Sequence, residues 1–216
     1  YYVAFSWDYY GKHPAEIINI RHGGLAIYGG VIAAVITCLV YTRIKKISFK
    51  QVADTGVYGL IIGQIIGRWG NFFNREAFGG VTSDSNPLAM KIFFGEEYQI
   101  SQVPDAVRVG MEAWKGKSLN EIGYIQVQPT FLYESLWNLV LLILMLAFRK
   151  KKKFDGEIIL WYLIGYGIGR AIIEGMRTDQ LIMPVTGWPV SQVLSIVVAV
   201  LSFIVVVTKR VKIAKK

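Results

Sequence analysis

The chain has 216 residues, 53% of them hydrophobic, and its mean hydropathy is +0.40. This composition is too apolar for an ordinary soluble domain and is typical of a bundle of membrane helices. The formal net charge of +9 does not indicate nucleic-acid binding, because the basic residues form short clusters between apolar runs, as membrane-topology signals do. We therefore expect an integral membrane protein.

Residues 1–22 are aromatic and polar and contain no apolar run of span length. They predict an interfacial segment, or the end of an element that begins before the first residue. No cleavable signal peptide is expected, because the segment lacks a basic stretch followed by an apolar core. Cys38 is the only cysteine, so an intrachain disulfide is excluded. Its position inside an apolar run favours a packing role.

The later apolar runs have the length of a membrane span, since about 20 residues at about 1.5 Å per residue cross a hydrocarbon core of roughly 30 Å. In the second run, Gly59, Gly63 and Gly67 are evenly spaced and predict a strip that a neighbouring backbone approaches closely. The mixed composition of residues 80–127 predicts an extramembrane loop. The five predicted spans are 23–42, 52–72, 129–148, 157–173 and 189–208.

The basic clusters orient these spans, because positively charged loops stay in the cytoplasm. The C-terminus is then cytoplasmic, and Tyr28, the ends of spans two and four and the loop 80–127 approach the extracytoplasmic side. We predict an all-α, polytopic membrane helix bundle that forms a single transmembrane domain over residues 1–216, with the loop as an extracytoplasmic subdomain. The basic clusters lie at 43–50, 149–153 and 209–216.

The end of span two carries polar residues that are costly in lipid. Arg68, Asn71, Asn74 and Glu76 lie within GRWGNFFNREAFG at 67–79. A cationic side chain at the bilayer centre costs about 3 kcal/mol even on lenient scales, and such residues usually face a bundle interior or a watery cavity. The stretch therefore predicts a site, although an arginine that only extends to the interface as an anchor is an alternative.

The end of span four repeats this pattern in GYGIGRAIIEGMR, residues 165–177. Tyr166, Arg170, Glu174 and Arg177 are spaced near multiples of the helical turn and are expected along one helix face. Arg170 and Glu174 also fit a simple ion pair four residues apart, and both interpretations are compatible. Unrelated anchors would have no reason to bring their arginines to one leaflet, which favours a functional site.

Two arginines in a partly dehydrated pocket suit a phosphate, because guanidinium groups pair with phosphate oxygens through two parallel hydrogen bonds. A phospholipid headgroup is the expected ligand. The amides of Asn71 and Asn74 add neutral hydrogen bonds, and Glu76 or Glu174 is suited to hold an arginine or accept a proton.

Other chemistries are disfavoured. His13 and His22 lack the spaced partners of a metal site, and His22 beside Arg21 is more typical of an interfacial residue than of a general base. The glycines of HGGLAIYGG and GYGIGR lie in apolar runs, where close helix packing explains them better than a nucleotide-binding loop.

The stretch GRWGNFFNREAFG resembles the signature Gly-Arg-x-Gly-Asn-Phe-x-Asn-x-Glu-x-x-Gly of the prolipoprotein diacylglyceryl transferase family at every fixed position. GGLAIYGG at 23–30, QPTFLYES at 128–135 and YGIGRAIIEGMR at 166–177 are similar to further segments of that family, in the same order. The resemblance implies a multi-pass enzyme of the bacterial plasma membrane, with seven helices and an active site towards the outer leaflet. Its implied reaction transfers the diacylglyceryl group of phosphatidylglycerol to the lipobox cysteine thiol of a prolipoprotein signal peptide, releasing glycerol phosphate without a cofactor.

The resemblance also implies roles by position. Arg68 and Arg170 would bind the lipid phosphate. Asn71 and Glu76 would shape the same pocket, and Gly79 would end the motif. Tyr166, Glu174 and Arg177 would line the opposite side of this lipid-binding pocket.

The sequence departs from the family at two points. Some members carry a histidine before the second Gly-Gly of the early-helix segment, where this chain has Tyr28. We hypothesise that the Tyr28 hydroxyl orients the thiol or headgroup, while the arginines stabilise the leaving phosphate and their positive field helps thiolate formation. The chain also shows five spans rather than seven, with YYVAF resembling the end of the family's second helix, which predicts that two helices precede it.

A membrane transporter or channel for an anionic solute is the main alternative. It predicts polar residues through the whole depth of several spans, whereas the cytoplasmic halves of spans one, three and five are almost purely apolar. A scaffolding membrane protein would leave the paired arginines unexplained.

Overall fold

The computed structural model describes residues 7–14, 27–96, 98–183 and 187–215. These residues are mostly helical, and they belong to two compact units, Tyr1–Val52 and Ala53–Lys216. The helices are α1 Trp7–Tyr10, α2 Ile27–Lys45, α3 Phe49–Asn74, α4 Asp105–Lys115, α5 Leu119–Ile122, α6 Thr130–Phe148, α7 Glu157–Glu174 and α8 Val190–Ala214, with 3-10 turns at Ile100–Gln102 and Arg149–Lys151. The strands are β1 Met90–Phe93 and β2 Tyr124–Val127.

The long helices α2, α3, α6, α7 and α8 match the predicted spans to within a few residues. Prolines and glycine mark their starts, with Pro129 directly before α6, Pro189 directly before α8 and Gly156, at φ 88°, before α7. These residues suit helix starts because they either lack an N–H or accept a left-handed backbone. The helical nature of the predicted spans is therefore confirmed.

Two helices of the described residues are long and apolar enough to cross a membrane, Thr130–Lys151 and Val190–Ala214. Helix α3 includes Gln64 and Arg68, and α7 includes Arg170, which lower the mean hydropathy of both helices. The count of five spans stays a prediction, as do the single transmembrane domain and the extracytoplasmic position of residues 80–127.

The first unit is represented mainly by α2. Its surface is apolar, and Ile32, Ile36 and Ile44 are more than half exposed. Cys38 is partly buried. An apolar exposed surface of this kind suits contact with lipid or another helix.

The second unit has a core in which α3, α6 and α7 meet. Val57 and Ile61 of α3 pack with Leu141 and Met145 of α6 and with Ile158 and Tyr162 of α7. The glycines of α7 permit close packing, since a Cβ on Gly167 would lie 2.7 Å from the Ser195 carbonyl oxygen of α8. A Cβ on Gly169 would overlap the Trp137 ring of α6. Close helix packing is thus confirmed for the glycines of GYGIGR, whereas nothing described lies within 4 Å of a Cβ on Gly29 or Gly30 of the earlier segment.

The glycine strip of α3 behaves differently. Within the described part of the chain, nothing lies within 4 Å of a Cβ built on Gly59, Gly63 or Gly67. The strip faces away from the side of α3 that carries Val57 and Ile61, because residues two or six apart are well separated around a helix. The predicted close approach is therefore absent among the described residues.

Residues 78–127 form a small layer of their own. Strands β1 and β2 pair antiparallel, and Val81 bridges to Val127 on the other edge of β2. The amphipathic α4 buries Val107 and Met111 against Ile125 of β2. Because β2 leads directly into α6, this layer is joined to the helix that carries part of the site described below.

The start of α7 holds a buried polar cluster, which we call the capping cluster: Asp54, Lys152, Glu157 and Arg210. Asp54 of α3 accepts hydrogen bonds from the backbone N–H of Gly156 at 2.9 Å and of Ile159 at 3.0 Å, so it caps α7 from another helix. It also pairs with Lys152 at 3.1 Å. Glu157 is fully buried and pairs with Arg210 of α8.

Candidate functional site

The two predicted arginines meet on a single carboxylate. Arg68 of α3 pairs through Nε with Glu134 Oε2, and Arg170 of α7 donates from Nη1 to Glu134 Oε1 at 2.6 Å. The Glu134 side chain on α6 is 6% exposed, against 21% for Arg68 and 14% for Arg170. A shared carboxylate offsets the repulsion that two close guanidinium groups would otherwise feel.

The packing of α6 places Glu134 between the arginines. The Ser135 hydroxyl donates to the Ile65 carbonyl of α3 at 3.1 Å, which holds the first turns of α6 against that helix. On the other side, Trp137 Nε1 donates to the Gly165 carbonyl of α7 at 2.8 Å. The turn of α6 that carries Glu134 is therefore held on two sides by hydrogen bonds that the Glu134 side chain does not make.

Glu174 extends the cluster along α7. Its Oε2 lies 2.5 Å from Arg170 Nη2, which confirms the predicted pair four residues apart. Arg177 does not continue the same helix face, because α7 ends at Glu174, so the prediction of one helical face for all four residues was wrong at Arg177. The Arg177 Nε still lies 4.0 Å from Glu174 Oε2, and its backbone bridges to Gly79.

Arg177 makes its strongest contact with Asp179, which sequence reasoning missed. Its Nε and Nη2 donate to the two Asp179 oxygens at 2.9 and 2.6 Å. Partial burial acts to raise the pKa of Asp179, but the hydrogen bonds and charge of Arg177 outweigh it and hold that pKa below its usual value. An acid two residues after an arginine has no helical signature, so only the turn beyond α7 shows the pair.

We call this group the arginine cluster. Its formal charges balance when every member is ionised, so a ligand phosphate would share guanidinium donors with carboxylates that are already bound. An arginine carries five N–H groups, so donors remain after these pairs. The members are Arg68, Arg170, Arg177, Glu134, Glu174 and Asp179.

Asn71 and Asn74 in the last turn of α3 form a second polar group with Glu76, which follows the helix. The side-chain amides of both asparagines donate to Glu76 Oε1, each at 3.1 Å. The backbone turns sharply here, with positive φ at Arg75 and Ala77, and the Glu76 N–H bonds back to the Asn71 carbonyl at 3.0 Å. The structure thus brings these three predicted residues together, with Glu76 accepting hydrogen bonds from both amides.

Gly79 sits where no side chain fits. A Cβ there would lie 2.9 Å from Gln128 Cβ and 3.0 Å from the Met176 carbonyl oxygen. Its N–H donates to the Gln128 carbonyl at 2.9 Å. The motif glycine is therefore clamped between the segment before α6 and the turn after α7 that carries Arg177.

Tyr166 lines a small cavity beside the arginine cluster. The cavity has a volume of about 10 Å³, close to the room that one water molecule needs. Among the described residues, the buried amide nitrogen of Asn138 has no hydrogen-bond partner. The lining consists of Glu134, Trp137, Asn138, Tyr166, Gly169, Arg170 and Ile173.

Glu134 and Asn138 are the members of this region that sequence reasoning passed over. Both lie inside an apolar span, where polar and ionisable residues are costly and usually functional. They are also four residues apart, which places them on one face of α6. Counting every polar residue within a span would have found them.

Tyr28 lies in α2, in the first unit, and its side chain is outside the described residues. Its proposed hydroxyl role is therefore not tested. Among the residues that the structure describes, no group of three or more histidine, cysteine, aspartate or glutamate side chains is placed to hold a metal ion.

The fold and the arginine cluster together define a largely helical membrane protein with a buried cluster of ion pairs between three helices. The sequence model of the prolipoprotein diacylglyceryl transferases matches residues 1–208. The chain belongs to this family, as the resemblance of its motifs predicts.

Three relatives illustrate the similarity, and each is named phosphatidylglycerol–prolipoprotein diacylglyceryl transferase. The protein of Listeria welshimeri is 45% identical over 212 residues, covering 98% of this chain and 69% of the relative. That of Lysinibacillus sphaericus is 43% identical over 99% of this chain and 71% of its own length. That of Clostridium novyi is 41% identical over 98% of this chain and 73% of its own length.

Proposed function

We propose that this protein transfers the diacylglyceryl group of phosphatidylglycerol to the lipobox cysteine of a prolipoprotein signal peptide. The names of its relatives state this donor lipid and this class of acceptor. The observation that supports a site for it is the meeting of Arg68 and Arg170 on one buried carboxylate. The anion-transporter alternative gains no support from the family.

During the proposed reaction, negative charge increases on the leaving phosphate, which Arg68 and Arg170 bind. The cysteine sulfur attacks the glycerol carbon that bears the phosphate, so a C–S bond forms and a C–O bond breaks. Glycerol phosphate leaves with the electrons of the broken C–O bond, and the thiol proton passes to this phosphate monoester or to water. Guanidinium donors of Arg68 and Arg170 that point at the phosphate stabilise this charge more than the charge of the intact lipid.

The remaining predicted residues have supporting parts in this proposal. Glu174 holds Arg170, and Gly79 with Arg177 closes the turn beyond α7. Asn71, Asn74 and Glu76 offer neutral hydrogen bonds to the headgroup, Tyr166 borders the arginine cluster, and Tyr28 orients the thiol or headgroup through its hydroxyl. No cofactor takes part in the step.

We place the site towards the outer leaflet of the bacterial plasma membrane, with the C-terminus in the cytoplasm. The support is the position of the basic clusters at 43–50, 149–153 and 209–216, which are consistent with one orientation of a multi-pass bundle.

Glycerol phosphate release by the full-length protein in detergent, with phosphatidylglycerol and a lipobox peptide, tests the proposal. Arg68→Lys and Arg170→Lys keep the charge but lose the planar fork, and each is expected to lower kcat by about 100-fold or more. The matched control is Arg108→Lys, because Arg108 is an exposed arginine of α4 that pairs with Asp105.

Release by the wild type and by the control, with loss in both folded site variants, supports the transferase and its arginines together. Persistent release in both variants would retain the enzyme and remove the site. A wild type that releases no glycerol phosphate would contradict the proposed function itself.

A further inference from the structure

We propose that Glu134 is a positioning residue, which holds the two guanidinium groups at the spacing of one two-oxygen anion. It presents Oε2 to Arg68 and Oε1 to Arg170, so each arginine meets a different oxygen of the same group. The phosphate of a phospholipid likewise carries two non-bridging oxygens on one centre. The inference rests on the proposed function, because the spacing matters for catalysis only if the arginines bind this phosphate.

The need for a charge at this position follows from burial. Arg68 and Arg170 are mostly buried, so their mutual repulsion is weakly screened by water and salt. A carboxylate between them removes that repulsion, whereas a neutral group of the same shape does not. Both Glu134 oxygens are paired with arginines, so Glu134 acts through the arginines and not on the substrate.

The backbone around Glu134 is fixed independently of its side chain. Ser135 is bonded to α3 and Trp137 to α7. Loss of the carboxylate therefore leaves α6 in place, while among the described residues Arg68 loses its partner and Arg170 is held by Glu174 alone. This separation allows the positioning role to be tested without dismantling the helix packing.

The test compares Glu134→Gln, which keeps the size and removes the charge, with Glu134→Asp, which keeps the charge and shortens the reach. In the glycerol phosphate assay, Glu134→Gln should lower kcat/KM by about 10- to 100-fold, mainly through kcat, because misplaced arginines lose contacts made in the transition state. Glu134→Asp should recover part of that loss.

Glu157→Gln is the matched control, since it removes an equally buried glutamate paired with Arg210 at the other end of α7. The two glutamates act about 20 Å apart, as 13 residues of helix separate Glu157 from Arg170. The folded control should keep kcat/KM within about threefold.

A double variant separates positioning from a general structural role. If Glu134 acts through Arg68, Glu134→Gln combined with Arg68→Lys should be about as impaired as the worse single variant, because the two changes disable one unit. Losses that multiply would overturn the inference, as would wild-type kcat/KM in folded Glu134→Gln. A wild type without release would instead defeat the proposed function, and the inference with it.

Discussion

The two ends of α7 carry buried acid–base clusters that are built differently. In the capping cluster, Asp54 is bound by two backbone N–H groups and Lys152, and Glu157 by the Lys153 N–H and Arg210. Each carboxylate there has its own cation, and Asp54 also caps the start of α7. In the arginine cluster, Glu134 instead serves two arginines from different helices.

This difference in hydrogen-bond partners distinguishes a structural use of buried acidic and basic residues from a functional one. In the capping cluster, Asp54 satisfies N–H groups at the start of α7, and Glu157 accepts the Lys153 N–H, so both carboxylates are bonded to the backbone. Within the part of the chain that the structure describes, the arginine cluster contacts no helix N-terminus, and its arginines retain guanidinium donors for another anion. A buried ion pair is weak evidence of stabilisation on its own, and its geometry decides what it is for.

The largest predicted change in the free energy of unfolding follows removal of one arginine at either end of α7. Arg170→Met leaves Glu134 and Glu174 buried beside one fewer cation and should lower the free energy of unfolding by about 3–5 kcal/mol. Arg210→Met should cost about 1.5–3 kcal/mol, because Arg210 is partly exposed and Glu157 keeps its bond from the Lys153 N–H. Denaturant unfolding in detergent micelles measures both free energies of unfolding. Equal losses in the two variants would contradict the proposed difference between the arginine cluster and the capping cluster.

The second prediction concerns the glycine that joins the motif to Arg177. Gly79→Ala forces a Cβ against Gln128 and the Met176 carbonyl, and such overpacking should cost about 1–3 kcal/mol and lower transferase activity. Gly80→Ala is the control, because nothing described lies within 4 Å of a Cβ on Gly80. Thermal unfolding and activity are measured together, and equal behaviour of the two variants would show that the clamp is unimportant.

The smallest effect is a pH dependence of the Arg177–Asp179 pair. The lowered pKa of Asp179 means that its carboxylate stabilises the folded state above the ordinary aspartate pKa of about 4, and that this contribution is lost as pH falls through the lower folded value. Asp179→Asn should therefore lower stability at pH 7 and flatten its decline below about pH 4. Measuring the free energy of unfolding between pH 7 and pH values below 4 tests this prediction. An unchanged, wild-type dependence of stability on pH in Asp179→Asn would refute it.

Much of the fold was readable from local pattern. The apolar runs predicted the positions of α2, α3, α6, α7 and α8, because hydrophobic length and flanking proline or charge are properties of neighbouring residues. The Arg170–Glu174 pair was equally local, being one turn apart on a helix. The prediction that Arg177 shares the helix face of Arg170 was wrong, because α7 ends at Glu174. Helix ends depend on tertiary contacts, such as the backbone bridge between Arg177 and Gly79.

By itself the sequence determined that this is a helical membrane protein, which residues are costly in lipid and, through its motifs, which family it belongs to. Only the tertiary structure decided that Glu134, 36 positions before Arg170, is the partner of both arginines, and that the strip around Gly63 has no described neighbour. The physical reason is that periodicity specifies the faces of one helix. Which faces meet depends on packing between helices, such as the fit of Trp137 over Gly169.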